Sequence, residues 1–354
     1  MQIPGYEALV HYATPPNSYI GTTIFISYIA AALYASITII YSLYARYTTI
    51  FHAASPSKDG RLNAAKAARA RHVKIYAFLA SISFATVSYH MLMFLITHYL
   101  EWSGDKSRSF SNVSAETLKG WMLESTLFQD FAQDLVKDAP NAVWTQAAIL
   151  ATWFWNIYMG QKGMRSSSHK EQYANVRSAR ARRYDTSTMR TYILLGQILP
   201  ISFTVSLFLI QLHLSSPDIV PMPATSDTTK PDSRPRRHKP IATLQIPNIL
   251  LNAALLALPA LRSNSLFSIL IFVTRAVLLL PYSSTMSLRD ADVVKCITVS
   301  GGFVVANAAV MRKDLTLGGV LGSLEDGGYA VKALGWDAVL GLVVYLVLGW
   351  GGGV

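Results

Sequence analysis

The chain has 354 residues, of which 51% are hydrophobic and only 14% are Asp, Glu, Lys or Arg. Soluble domains carry about 25% charge, so a soluble globular enzyme is excluded and a polytopic membrane protein is indicated. The net charge of +11 must be read by position, and the single cysteine, Cys296, removes any disulfide framework or thiolate metal cluster.

Residues 1–18 contain no Lys or Arg and no short apolar core ending in small residues, so no cleaved signal peptide is expected. A bilayer core of about 30 Å needs about 20 mostly apolar helical residues. By that measure residues 19–44, 75–100, 144–160 and 191–213 read as spans, followed by 241–261, 266–282, 293–311 and 336–350. Pro247 and Pro259 interrupt the fifth, Arg275 lies inside the sixth, and the last is short and glycine-rich. The expected fold is all-α: one membrane domain over 1–354, a bundle of seven or eight spans with eight preferred. No internal repeat is visible, which weakens an inverted-repeat transporter.

Basic residues in short loops set orientation. Residues 45–74 carry seven and 161–190 carry eight, whereas 101–143 carries four basic against seven acidic. The two basic loops are expected in the cytosol, with the N-terminus and 101–143 in the lumen of the endoplasmic reticulum. The positive charge is then a topology feature that touches the lipid bilayer, and nucleic acid is not an expected partner. Asn112-Val113-Ser114 is an N-x-[ST] sequon in the loop assigned to the lumen, which makes Asn112 a glycosylation candidate. Segment 214–240 disagrees with this alternation: it is rich in Pro, Ser and Thr, carries five basic residues, and reads as disordered.

Residues 120–138 read as an amphipathic lumenal helix suited to the membrane surface or to lidding a cavity. Trp121, Leu127, Phe128, Phe131 and Leu135 share one face at about 100° per residue. Glu124 falls within that apolar arc, where desolvation would keep it protonated as a general acid; the plainer account is a carboxylate favouring a helix N-terminus. Asp130, Asp134 and Asp138 are spaced i, i+4, i+8. Such a stripe could hold Mg²⁺ and a diphosphate, but no second copy exists and a solvated acidic face explains it as well. Arg289-Asp290-Ala291-Asp292 contains a weak D-x-D triplet.

Charges within spans are costly unless paired or functional. Arg275 sits mid-span and Asp337 opens the last span, so they could pair with each other or with Glu124. His90, His98 and His213 are too few for two bis-histidine haem pairs, and no histidine cluster marks a di-iron or zinc enzyme. No metal and no cofactor is called for, and these histidines read as packing residues. Aromatic residues crowd the first span (Tyr28, Tyr34, Tyr41, Tyr44) and the third (Trp144, Trp153, Phe154, Trp155, Tyr158). Each well-placed ring stabilises a cation by about 0.5–2 kcal/mol. Phe128, Trp153, Trp155 and Tyr158 are therefore candidate substrate-binding rings around a carbocation, with interfacial belts and helix packing as the alternative.

The run Trp121-Met122-Leu123-Glu124-Ser125-Thr126, then Phe128, Asp130, Trp144-Thr145-Gln146 and Trp153, resembles a family of fungal polytopic membrane proteins encoded among secondary-metabolite genes. The basic loop ending in Tyr192, and Gly335-Trp336-Asp337, fit the same pattern over most of the chain from about Arg46. The nearest likeness is to the integral membrane terpene cyclases of paxilline-type indole-diterpene pathways. The chain departs at Trp144-Thr145-Gln146, where relatives tend to carry more tryptophan. The resemblance implies cyclisation of a prenylated or epoxidised hydrophobic isoprenoid, with pathway enzymes in the same membrane as possible partners. On physical grounds Glu124 would donate the initiating proton and Asp130 or Asp337 would remove the last one. A transporter or exporter of a hydrophobic metabolite and a non-catalytic membrane scaffold are the competing expectations.

Overall fold

The computed structural model describes residues 19–52, 60–104, 115–124, 126–168, 186–198, 200–216, 219, 242–283 and 285–350. Its first helix, α1 (Tyr19–Phe51), has its described buried residues at Ala32, Ala35, Ser36, Ile39 and Leu43, a helical stripe narrow enough for close packing. Isoleucine and tyrosine side chains on its other faces stay exposed, as suits lipid. The second helix, α2 (Gly60–Ser103), runs for 44 residues. At about 1.5 Å per residue it is about 66 Å long, roughly twice the bilayer core.

Shorter helices follow: α3 (Ala115–Glu124), α4 (Leu127–Asp134), α5 (Ala139–Ser168), α6 (Thr186–Ile198) and α7 (Ile201–Leu214). The C-terminal part holds α8 (Gln245–Ala260), α9 (Leu266–Val277), α10 (Asp290–Val310), α11 (Leu317–Glu325) and α12 (Tyr329–Gly349). A two-residue parallel bridge joins β1 (Ala242–Thr243) to β2 (Met286–Ser287), the described exception to helix apart from a short 3₁₀ turn at Leu280–Tyr282.

All fourteen residues of α7 are buried. It is the axis around which α1, α2, α5, α6 and α12 assemble, and its Phe208, Leu209 and Val205 lie at the centre of the largest apolar core. A second core joins α5 to α8, α9 and α10 around Trp153, Ile157 and Leu255. Polar side chains tie these helices together. Asn252 Nδ2 on α8 donates to Ser300 Oγ on α10 at 2.9 Å, and Asn307 Nδ2 on α10 donates to Gln146 Oε1 on α5 at 2.8 Å. A third core, at the far end of the bundle, joins the end of α2 to α3, α4 and the start of α12.

Four helices among the described residues are long and apolar enough to cross a membrane: α2, α10, α12 and the Ile26–Phe51 part of α1. Ile201–Leu214, Gln245–Ala260 and Leu266–Tyr282 are apolar but shorter. The chain is an all-α integral membrane protein.

Several boundaries differ from the sequence reading. The segment 45–74 is not simply a loop: α1 continues to Phe51 and α2 already begins at Gly60. Ala64, Ala65, Ala67, Ala68 and Ala70 alternate there with Arg and Lys, all strong helix formers, so the helix persists after hydropathy fails. The expected single helix over 120–138 is two helices, with Thr126 non-helical between them. The expected span over 191–213 is instead a helical hairpin: Pro200, which lacks an amide hydrogen, precedes α7, and α7 folds back along α6, with Tyr192 edge-on to Phe208 at 5.5 Å and Gly196 against Thr204. Pro247 and Pro259 fall in the first and last turns of α8 and interrupt nothing. The last helix begins at Tyr329, so Asp337 lies inside it rather than opening it. Asn112, residues 169–185 and most of 214–240 lie outside the described residues.

Candidate active site

The turn at Pro200 draws in both Arg275 and Asp337. A turn between two helices leaves carbonyls without partners on one side and amides without partners on the other. On the amide side, Asp337 Oδ2 accepts from Ile201 N at 3.0 Å, and Oδ1 accepts from Ser202 N at 3.0 Å and Ser202 Oγ at 2.5 Å. On the carbonyl side, Arg275 Nη1 donates to Gln197 O at 3.2 Å and the Tyr28 hydroxyl donates to Gln197 O at 3.0 Å. Anion at a helix start and cation at a helix end also suit the two helix dipoles. Arg275 and Asp337 thus serve opposite sides of one turn instead of pairing with each other. The carboxylate of Asp337 is buried, with both oxygens engaged as a helix cap.

Chemistry of another kind gathers at the end of the bundle opposite the basic start of α2. A cavity of about 620 Å³ lies between the end of α2, α4, the turn after α8 and the start of α12. Phe94, Trp102 and Tyr329 supply rings, while His98, Glu101, Asp130, Asp134 and Arg262 supply ionisable groups. Its size falls within the range of about 300–1,000 Å³ typical of small-molecule sites.

The start of α4 sets Asp130. Its amide donates to Thr126 O at 2.9 Å, and the Thr126 hydroxyl donates to Asp130 Oδ2 at 2.6 Å. His98, reaching from α2, places Nε2 3.1 Å from the same oxygen. Trp121 on α3 settles the direction of that bond. Its indole N–H, which can only donate, points to His98 Nδ1 at 3.0 Å. Nδ1 therefore accepts, the ring proton resides on Nε2, and His98 donates to Asp130. Trp121 is itself held edge-on against Tyr99, with ring centroids 5.7 Å apart. Asp130 Oδ1 is left without a hydrogen bond among the described residues.

Asp134 is one helical turn further along α4 and lines the same cavity. Burial raises its pKa above the ordinary carboxylate value; Lys137 and Arg262 oppose the shift, and the neighbouring Asp130 and Glu101 carboxylates add to it. Asp138 leaves the stripe: its Oδ1 accepts from Asn141 N at 2.9 Å and caps α5. The expected three-carboxylate row is therefore two cavity residues and one cap. Among the described residues no three His, Cys, Asp or Glu side chains converge as a metal site.

The remaining expected residues are dispersed. Glu124 ends α3, and its side chain lies outside the described residues. The break after it means that one continuous helical wheel does not relate Glu124 to Phe128 and Phe131. Trp121, Leu127, Phe131 and Leu135 do pack together in the third core, where Phe131 meets Phe94 edge-on at 5.0 Å. Phe128 is half-buried on α4 and is not among the cavity residues. Trp153 is fully buried in the second core, and Trp155 and Tyr158 pack against each other in the first, 5.5 Å apart and perpendicular. These three rings pack helices, away from Asp130. Sequence reasoning passed over His98 as a packing residue and did not single out Arg262 or Tyr329. The i, i+4 spacing of Asp130 and Asp134 was the available clue to half of the site. No protein-family model, no curated protein and no solved structure matches the chain.

Proposed function

We propose that this chain is a membrane-embedded terpene cyclase-like enzyme that starts cyclisation of a prenylated or epoxidised isoprenoid by proton transfer. The observation that carries the reading is the pair of carboxylates one turn apart on α4, in unlike surroundings, lining one cavity with three aromatic rings. Environments that differ in this way assign acid and base roles. Asp134, whose pKa burial raises, donates to a terminal alkene or epoxide oxygen. Phe94, Trp102 and Tyr329 then face the resulting cation. Asp130, positioned by Thr126 and His98, removes a proton from the cyclised cation to leave an alkene. The proton gained at Asp130 returns to Asp134 one turn away, so the reaction is a net isomerisation without a cofactor. Glu124 is the alternative donor and belongs to the same test.

In this proposal the bundle crosses the endoplasmic-reticulum membrane seven times, with α5 counted as a crossing and the α6–α7 hairpin entering and leaving on one side, because Tyr192 meets Phe208 and His213 meets His72 near the basic start of α2. The cavity and the N-terminus face the lumen, Asn112 is glycosylated, and pathway enzymes share the membrane. The deciding experiment is expression in a host lacking related metabolites, with candidate isoprenoids supplied to microsomes. Formation of an isomer of unchanged mass supports the cyclase, and recovery of every substrate unaltered overturns it.

A second reading, transport of a hydrophobic metabolite, draws on the helical hairpin at Pro200, since discontinuous helices recur in transporters. It predicts substrate uptake into sealed vesicles with no chemical change. Fixed side chains occupying both ends of the turn weigh against it.

A further inference from the structure

A second cavity, of about 400 Å³, lies beside the first and does not enter the proposed reaction. Its rim carries Lys137 and Asp138 from the α4–α5 turn, Arg262 and Ser263 from the turn after α8, and Asp314 just past α10. Charge at this rim is balanced: two cations and two carboxylates. The C-terminal ends of α8 and α10 converge here, and the partial negative charge of helix ends favours a bound cation. Asp138 spends one oxygen on the amide of Asn141, and its other carries no hydrogen bond among the described residues.

The level of this notch is fixed by its neighbours. Val310, immediately before the cavity residue Met311, is 79% exposed, and Leu317 is 80% exposed. Leu266, just beyond Ser263, is also exposed. Val310 ends the candidate membrane helix α10, and apolar side chains so uncovered beside it mark a membrane-contacting surface. The charged notch therefore sits at the edge of that surface, where lipid headgroups lie.

We propose that this notch binds the headgroup of a phospholipid bearing a primary ammonium, of the phosphatidylethanolamine type. Lys137 and Arg262 hold the phosphate, for which a guanidinium offers paired donors. Asp138 and Asp314 accept from the ammonium. A purely anionic headgroup would meet the two carboxylates, and a quaternary ammonium has no N–H to offer them. This site is independent of the cyclase reading.

The test is native mass spectrometry of the purified full-length chain, delipidated in detergent and offered phosphatidylethanolamine, phosphatidylcholine and phosphatidylglycerol in equal amounts. The wild type is expected to retain phosphatidylethanolamine about tenfold better than either competitor, the worth of one charge-assisted hydrogen bond. Lys137→Ala and Asp314→Asn, which alter exposed residues outside the first cavity, are each expected to abolish that preference. Equal retention of the three lipids, or an unchanged preference in both variants, overturns the site. Tighter binding of soluble phosphoethanolamine than of the lipid overturns the lipid assignment.

Discussion

The indole N–H of Trp121 meets His98 Nδ1 at 3.0 Å, and this one bond determines which nitrogen of His98 confronts Asp130. A phenyl ring would preserve the packing against Tyr99 but lose the donor. In Trp121→Phe, ¹⁵N spectra of the detergent-solubilised protein should show both His98 tautomers where the wild type shows only Nε2–H. Cyclisation should fall about tenfold, the effect of one lost hydrogen bond. A wild-type spectrum with the proton on Nδ1 would refute the arrangement.

Removing either proposed proton carrier should be far more damaging. Asp130→Asn and Asp134→Asn are each expected to lower turnover about 10²-fold or more, in the range of a lost general acid or base. Glu124→Gln should leave turnover within a few-fold of wild type. Product analysis in microsomes separates the assignments: if Glu124→Gln is dead and Asp134→Asn active, the initiating acid is Glu124.

Asp134 also predicts a dependence of stability on pH. Its folded pKa is raised by burial, so the folded chain holds this proton more tightly than the unfolded chain does. Its contribution is fully present below the unfolded value and is lost as pH rises through the raised folded value. Asp134→Asn should therefore raise the thermal midpoint at neutral pH and leave it nearly unchanged at acidic pH, while activity drops. Thermal melts in detergent across that interval read the difference; a neutral-pH midpoint below wild type contradicts the sign.

At the α6–α7 turn, Asp337→Ala strands two backbone amides and one hydroxyl that are buried together. Each stranded donor costs about 1–3 kcal/mol. The variant should appear as a marked loss of monodisperse protein on size-exclusion chromatography. Ser202→Ala removes only one of the three donors and should cost about 1 kcal/mol. Equal behaviour of the two variants would show that the cap carries little stability.

A close approach of backbones gives a packing test. A Cβ on Gly160 of α5 would lie 2.8 Å from the carbonyl oxygen of Pro281, a group that cannot swing aside. Gly160→Ala should destabilise by about 1–3 kcal/mol through overpacking. Gly301→Ala on α10, with open space around it, serves as the control expected to melt at the wild-type temperature or higher. A Gly160→Ala protein as stable as the control would disprove the contact.

What the sequence made visible follows from how far each cause reaches along the chain. Hydropathy acts locally, so the membrane class and the apolar stretches within α1, α2, α10 and α12 could be read directly. Helix ends were harder, because the Ala-rich start of α2 stays helical on propensity after apolar character has run out. A wheel drawn over 120–138 assumed continuity across Thr126 and so misjudged the relation of Glu124 to Phe128. Asp130 and Asp134 stood out because their spacing is local; His98 did not, since its partnership spans 32 residues and depends on α2 and α4 packing together. Asp337 stood out as a buried charge, yet its task is defined by a turn at Pro200 far upstream.

That distance bears on biogenesis. A ribosome that has just released Leu214 into the translocon has made a helix about 21 Å long with Ser202, Thr204, Ser206, Gln211 and His213 along it, too short and too polar to settle in lipid alone. Its leading amides wait for a carboxylate that emerges 135 residues later. Until the C-terminal helix is made, this future axis of the protein must be sheltered, and a nascent chain stalled before residue 337 is a natural client for membrane chaperones and quality-control degradation.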